Sequence, residues 1–271
     1  QAELVRRRSY PDHLTRDLHR AVAQATWLAG LTSIDSGRHA LGQAYYAQAL
    51  HLAHQSGDRV YAANILAEMS RTTMDVANAS GNVAANGRHA VALARSAVHV
   101  AGERATPGFK AWLHAMEARA LAMVGDRHAV DEAVLRARRS FDGADGNEPE
   151  WFGFYGEADF LADVGQCLRD VGRPRHGLAM LERAAAALPE HRVTARLKTQ
   201  IHIAAAHLAM GDIRTAGEVV AGVLDATQVI SSNRIVDRVR SLRRHAHGAG
   251  PGRAAREFDE RVAAFLASNR A

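Results

Sequence analysis

Two segments of the chain, GLTSIDSGRHALGQAYYAQAL from Gly30 and GQCLRDVGRPRHGLAMLERAAAALP from Gly165, carry glycine at the same offsets. Gly30, Gly37 and Gly42 correspond to Gly165, Gly172 and Gly177, and in each copy a large residue (Tyr46, Leu181) and then an alanine (Ala49, Ala184) follow. The spacing predicts a helix-turn-helix unit. A small residue late in the first helix admits a second helix at close range. The middle glycine ends the first helix in a left-handed turn, and the third seats the second helix. The large residue fills the gap between the helices, and the alanine leaves room for the next unit.

Further copies keep the register. ARALAMVGDRHAVDEAVLRA holds Ala118, Leu121, Gly125 and Ala137, and AAAHLAMGDIRTAGEVVAGVL holds Ala204, Gly211, Ala216 and Val220. The copy before Ala90, Ala94 and Ala97 departs, because NASGNVAANG reads as a lengthened turn from Asn78 to Gly87, an insertion or an extended helix end. A composition rich in Ala, Leu and Arg with six prolines favours helix, and no long Val/Ile/Thr alternation argues for a sheet. Repeated units bury their apolar faces only against neighbours, so a chain of 271 residues built this way stacks into a solenoid.

The pattern resembles the tetratricopeptide repeat, a helix-turn-helix unit of about 34 residues. The resemblance implies an all-α fold, a right-handed superhelical solenoid of tetratricopeptide-like helix pairs in a single domain over 1–271. Its units fall at about 17–56, 58–101, 108–142, 151–189 and 192–226, with a capping pair at 231–268. The order of DLHRAVAQATWLAGLTSIDSGRHALGQAYYAQALHLAHQSGD, ILAEMSR, HAMEARALAMVGD, WFGFYGEADFLADVGQCLRDVGRP and REFDERV is similar to the carboxy-terminal region of actinobacterial helix-turn-helix transcriptional regulators of the Cro/repressor type. That resemblance implies the sensing half of a regulator, non-catalytic, cytoplasmic and coupling groove occupancy to regulation. Its expected partners are a peptide, a protein or a small-molecule effector, with a homodimer also open. DNA would be reached only through an upstream domain, since no helix-turn-helix precedes Asp17 and the sequence starts at Gln1 rather than at methionine.

In such a solenoid the first helix of each unit lines a groove. Counting from the glycine turns, the candidate groove residues are Trp27, Arg71, Trp112, Arg119, Tyr155, Asp159, Gln166, Arg169 and Lys198. Arg71, Arg119 and Arg169 come from consecutive units and could form a ladder holding a carboxylate, a phosphate or a peptide backbone. They could equally neutralise acids such as Asp75, Glu117 and Asp170. Trp27 and Trp112 read either as platforms for an apolar group or as interhelical packing. The aromatic run EPEWFGFYGEADF, Glu148 to Phe160, leads into the fourth unit, either as a pin between the third and fourth units or as a wall of the site.

Other chemistry finds little support. The chain has one cysteine, Cys167, which excludes an intrachain disulfide and a multi-thiolate zinc site. His51 and His54 lie a turn apart, yet no HExxH motif, Walker loop or dinucleotide fingerprint accompanies them, so no metal, cofactor or catalytic residue is expected. No membrane-spanning apolar run occurs. The net charge of +5 and pI near 9.9 come from arginine, with Lys110 and Lys198 the only lysines. The densest basic run, RVRSLRRHAH from Arg238, could track phosphates, but acids are interspersed along the chain and no recognition module accompanies it. A biosynthetic enzyme that uses the groove as a substrate clamp and an oligomerisation scaffold remain as alternatives.

Overall fold

The computed structural model describes residues 11–227, 233–247 and 252–268. Residues 1–10, 228–232, 248–251 and 269–271 lie outside that set, so 231, 232 and 248–251 of the expected cap at 231–268 are not described. Among the described residues there are twelve α-helices: α1 (Asp12–Asp35), α2 (His39–Ser56), α3 (Arg59–Ser80), α4 (Val83–Ala101), α5 (Pro107–Met123), α6 (Arg127–Asp142), α7 (Glu157–Asp170), α8 (Pro174–Ala187), α9 (Val193–Ala209), α10 (Ile213–Thr227), α11 (Asn233–His247) and α12 (Arg253–Ser268). They pack as six successive pairs, so the protein is an all-α solenoid of tetratricopeptide-like units.

The glycine register explains how the pairs close. A Cβ on Gly30 would lie 2.6 Å from the Tyr46 ring, and one on Gly42 would lie 2.5 Å from Ile34. In the fourth pair a Cβ on Gly165 would meet Leu181 at 2.8 Å, and one on Gly177 would meet the Gly165 carbonyl oxygen at 2.6 Å. These helices touch through their backbones, and any larger residue would force them apart. Gly37 and Gly172 turn the chain between the paired helices at φ values of 76° and 86°, the left-handed region that only glycine occupies without cost.

In the second pair the stretch from Asn78 to Gly87 is the extended helix end, not the inserted loop, of the two readings of its lengthened turn. The α3 helix runs on to Ser80, Gly81 and Asn82 alone make the turn, and α4 starts at Val83. The additional residues lengthen both helices, which span 22 and 19 residues against 14 for each helix of the fourth pair. An alanine-rich segment with no proline continues a helix more readily than it forms a ten-residue loop.

The first helices of successive pairs stand side by side: α3 against α5, α5 against α7, α7 against α9, and α9 against α11. The α11 helix then returns to α3 and reaches α1. The inner helices therefore close a ring, because the small rotation between neighbouring pairs accumulates along the stack. The cap helix presents two faces to this end. Ile235, Val239, Leu242 and Ala246 enter a core with Ile201, Leu208, Val220, Phe258 and Val262. Arg234, Arg238 and His245, one and two turns apart on the neighbouring face, look into the ring.

Closure is made by charge. Arg234 donates to Asp35 at 3.1 Å and to Asp75 at 3.4 Å, and Arg238 donates to Asp75 at 3.1 Å. His39 lies 3.5 Å from Asp237, and Arg244 donates to the carbonyl of Asn78. The arginines of the basic run are thus each engaged within the chain, with Arg243 bonded to Asp259 and the exposed Arg240 to Asp237.

Candidate functional site

The ring encloses two chambers, of about 420 Å³ and about 430 Å³, stacked along its axis. The first lies among the amino-terminal halves of α3, α7 and α9 and the carboxy-terminal half of α1, and the second among the carboxy-terminal halves of α3, α5, α7 and α9. Arg119, Gln166, His202, Arg234 and Arg238 line both and form a waist between them.

Aromatic side chains make one wall of the first chamber. Trp151 stands edge-on to Tyr61 at 5.1 Å and to Phe109 at 5.4 Å, and Trp27 approaches Tyr61 at 6.4 Å. Phe154, half exposed, rests on Phe152, which is buried against Phe109 and Trp112. This segment is held from outside by Glu148. Its carboxylate accepts from the backbone N–H groups of Gly108 at 2.8 Å and Phe109 at 3.1 Å, and from the Thr106 hydroxyl. A carboxylate from the loop before the fourth pair thereby caps the first helix of the third, where the helix dipole favours negative charge.

The opposite wall is polar. Arg71 is bonded to Glu68, with Asp75 nearby, and although burial opposes its charge these acids hold it more firmly protonated than usual. Arg119 donates to Asp163 at 3.3 Å while its Nε, buried, has no partner. Burial raises the Asp163 carboxyl above its ordinary range despite that arginine, and Tyr155 donates its hydroxyl to it at 3.2 Å. Burial and the same carboxylate push the tyrosine's own ionisation well up. Arg192 grips Asp159 with two parallel bonds of 2.7 and 2.8 Å.

Several polar groups facing this space meet no protein partner. Asn64 is 3% exposed and Gln166 8% exposed, and neither amide is hydrogen-bonded to the protein. The indole N–H of Trp27 and the Nε of Arg234 are likewise buried and unpaired. Lys198 makes no ion pair. Burial, then Arg238 and Arg71, push its pKa down to about 8. Burial and the cations Arg169, Arg238, Arg119 and Lys198 hold His202 well below the usual histidine range, so it is a neutral imidazole, and its Nδ1 accepts from Arg169 at 3.0 Å.

The structure distributes the sequence-predicted residues as follows. Trp27, Arg71, Trp112, Arg119, Tyr155, Asp159, Gln166 and Lys198 line the first chamber. Arg169 lies in the second and is shared between Asp170 and His202. The three arginines do not face one chamber as an open ladder, since each carries an acid. The acid is Glu68 for Arg71 and Asp163 for Arg119, rather than Asp75 and Glu117, and Glu117 binds Arg136 instead. Asp159 and Tyr155 are committed to Arg192 and Asp163, and Trp112 is largely core. Sequence reasoning missed Tyr61, His202, Arg234 and Arg238 as lining residues, and it flagged Trp151 and Phe154 only as part of the aromatic run. Only the arginine density of α11 signalled its pair.

The wider chemistry is spare. Cys167 is buried, and burial with Asp163 raises its thiol far above the range of a reactive thiolate. Among the described residues, no three His, Cys, Asp or Glu side chains are grouped to hold a metal ion, and no helix is long and apolar enough to cross a membrane.

The class this geometry defines is a tetratricopeptide-like helix-pair solenoid closed on itself around an internal space. No protein-family model matches the chain, and no curated protein does. It is similar to two crystal structures of a Podosopora anserina kinesin light chain with nearly identical TPR-like repeats, one of them a point variant. Each is 19% identical and covers 76% of this chain, and this chain covers 94% and 95% of theirs, at a TM-score of 0.45.

Proposed function

We propose that this chain is a non-catalytic binding domain whose first chamber holds an extended peptide or protein segment, and that its occupancy is transmitted to a transcriptional apparatus. The observation that carries the binding half is the set of unpartnered groups on the inner helices: Asn64 on α3 and Gln166 on α7, both buried, and the half-buried Lys198 on α9, opposite the aromatic wall. Buried polar groups are almost always hydrogen-bonded, so such a set marks a surface completed by something else. A primary amide offers a donor and an acceptor together, the complement of a peptide unit, and Trp27, Trp151 and Phe154 supply flat apolar contacts for the intervening side chains.

The regulatory half rests on the likeness of the chain's segment order to Cro/repressor-type regulators. Occupancy would act through the ring: a ligand bridging α3, α7 and α9 changes the pitch of inner helices that are rigid individually and adjustable relative to one another.

Native mass spectrometry of the protein purified from its own cells tests the binding half. A retained peptide-like mass is expected, lost in the double variant Asn64→Ala, Gln166→Ala at unchanged helicity. A ligand that survives that substitution contradicts the assignment. A helix-turn-helix module encoded upstream of Gln1 supports the regulatory half, and a full-length gene without one removes it.

A further inference from the structure

The second chamber differs from the first in its walls and in its charge. At about 430 Å³ it falls within the range of small-molecule sites, roughly 300–1,000 Å³, and no tyrosine, tryptophan or phenylalanine lines it. Ile201, Leu208 and Leu242 line it from the core, while Met123 and Ala205 are only half-buried and Val83 is 36% exposed. Aliphatic surface therefore borders a space that the chain itself leaves unfilled.

Its charges are closed among themselves. Four arginines and three aspartates line it, and each has an opposite charge of its own. Arg119 meets Asp163, Arg169 meets Asp170, Arg234 meets Asp35, Arg238 meets Asp75, and Asp237 meets Arg240. Lys198, the unpaired cation of the first chamber, does not line the second. An ion of either sign entering here sheds its water with no free charge to meet it. Two neutral polar groups do stand free. Asn78 on α3 and Ser241 on α11 line this chamber and not the first, both are half-buried, and neither side chain is hydrogen-bonded among the described residues. They border one seam, since Arg244, a turn beyond Ser241, donates to the Asn78 carbonyl. A primary amide and a hydroxyl each donate and accept, so a neutral oxygen function completes them.

We propose that the second chamber binds an uncharged aliphatic molecule with one oxygen function, its alkyl body among Met123, Ile201, Leu208 and Leu242 and its oxygen at the α3–α11 seam against Asn78 and Ser241. The site is separate from the aromatic chamber and takes a different class of ligand. Charge is selected against from both sides, because every arginine and aspartate of the wall is already compensated.

The test is calorimetric titration of the full chain with octanol, octanoate and octylammonium, each below its solubility or micellar limit. Saturable one-to-one binding of octanol is expected, with both ions at least about tenfold weaker. Asn78→Leu removes one hydrogen bond and should weaken octanol about two- to tenfold. Asn78→Lys gives the chamber a charge without a partner, and should raise its affinity for octanoate at least about tenfold over the parent while octylammonium stays unbound. Ala209→Trp, at an exposed position of the chamber's rim, should abolish octanol binding, and Ser241→Phe, from the opposite wall, should do the same. Absence of saturable octanol binding, octanoate or octylammonium bound as tightly as octanol by the parent, or unaltered octanol titration in both filled variants would overturn the proposal. None of these outcomes depends on a peptide in the first chamber, so failure here is distinct from failure there.

Discussion

The seam inside a helix pair and the seam that closes the ring are built from opposite materials. Between α7 and α8 the backbones meet at Gly165 and Gly177 with no side chain between them. Between α11 and the first two pairs, long arginine side chains reach Asp35, Asp75 and the Asn78 carbonyl. The first contact has no slack, and a change of one methyl group is felt. The second can lengthen, rotate or exchange partners while its charges remain compensated. The difference teaches where movement resides: the pairs are rigid bodies, and the ring is adjustable at its closure.

Asp75→Lys attacks the closure at its centre. It replaces the carboxylate shared by Arg234 and Arg238 with a third cation, and breaking such a partly buried network costs on the order of 3–5 kcal/mol. We expect a lower urea midpoint and a faster exchange of α11 amides, with α7 and α8 little affected until global unfolding. Gly177→Val attacks the pair instead. Its side chain would meet the Gly165 carbonyl and the Arg169 backbone, at a cost of about 3 kcal/mol, and hydrogen exchange should then rise first in α7 and α8. If both substitutions loosen the same helices, the contrast between the seams is wrong.

Smaller changes sharpen it. Lys198→Met removes a cation that burial disfavours first, that Arg238 and Arg71 repel, and that Asp75 and Asp35 only partly compensate. Because its folded pKa lies near 8, below the unfolded value of a lysine, the charge opposes folding at all pH values below about 8. That penalty fades between pH 8 and the unfolded pKa as the native state releases its proton first. The variant should therefore melt about 2–4 °C higher at pH 7 and converge with the parent above pH 10.5, measured by circular dichroism. Glu148→Ala removes the carboxylate cap of α5 and should cost about 1 kcal/mol, with faster exchange confined to Gly108, Phe109 and the aromatic segment.

The two kinds of seam were also unequally legible in the sequence. Glycine spacing is local, and Gly30 with Gly42 and Gly165 with Gly177 revealed the pairs, their order and the helices that face inward. The closure joins Arg234 to Asp35 across 199 positions and Arg238 to Asp75 across 163. No spacing records such a meeting, because it depends on the summed rotation of every intervening pair. For the same reason the acid of one inward arginine could not be named: Arg169 meets the neighbouring Asp170 as expected, while Arg119 finds Asp163 on the next pair rather than Glu117 on its own helix. The aromatic stretch from Glu148 to Phe160 was visible as a joint. That Trp151 reaches back to Tyr61 of the second pair, making a chamber wall of it, required the fold. The stretch from Asn78 to Gly87 stayed open between an insertion and an extended helix end, because helix continuation and loop insertion both add residues between the same two landmarks.

The closed ring is tested most directly by pulsed dipolar spectroscopy between spin labels at Ala40 on α2 and Arg240 on α11, both exposed, with the buried Cys167 left unlabelled. Closure through His39 and Asp237, next to these sites, predicts one short, narrow distance that lengthens and broadens in Asp75→Lys. A broad, long distribution in the parent chain, unchanged by that substitution, would mean an open solenoid and would contradict the account.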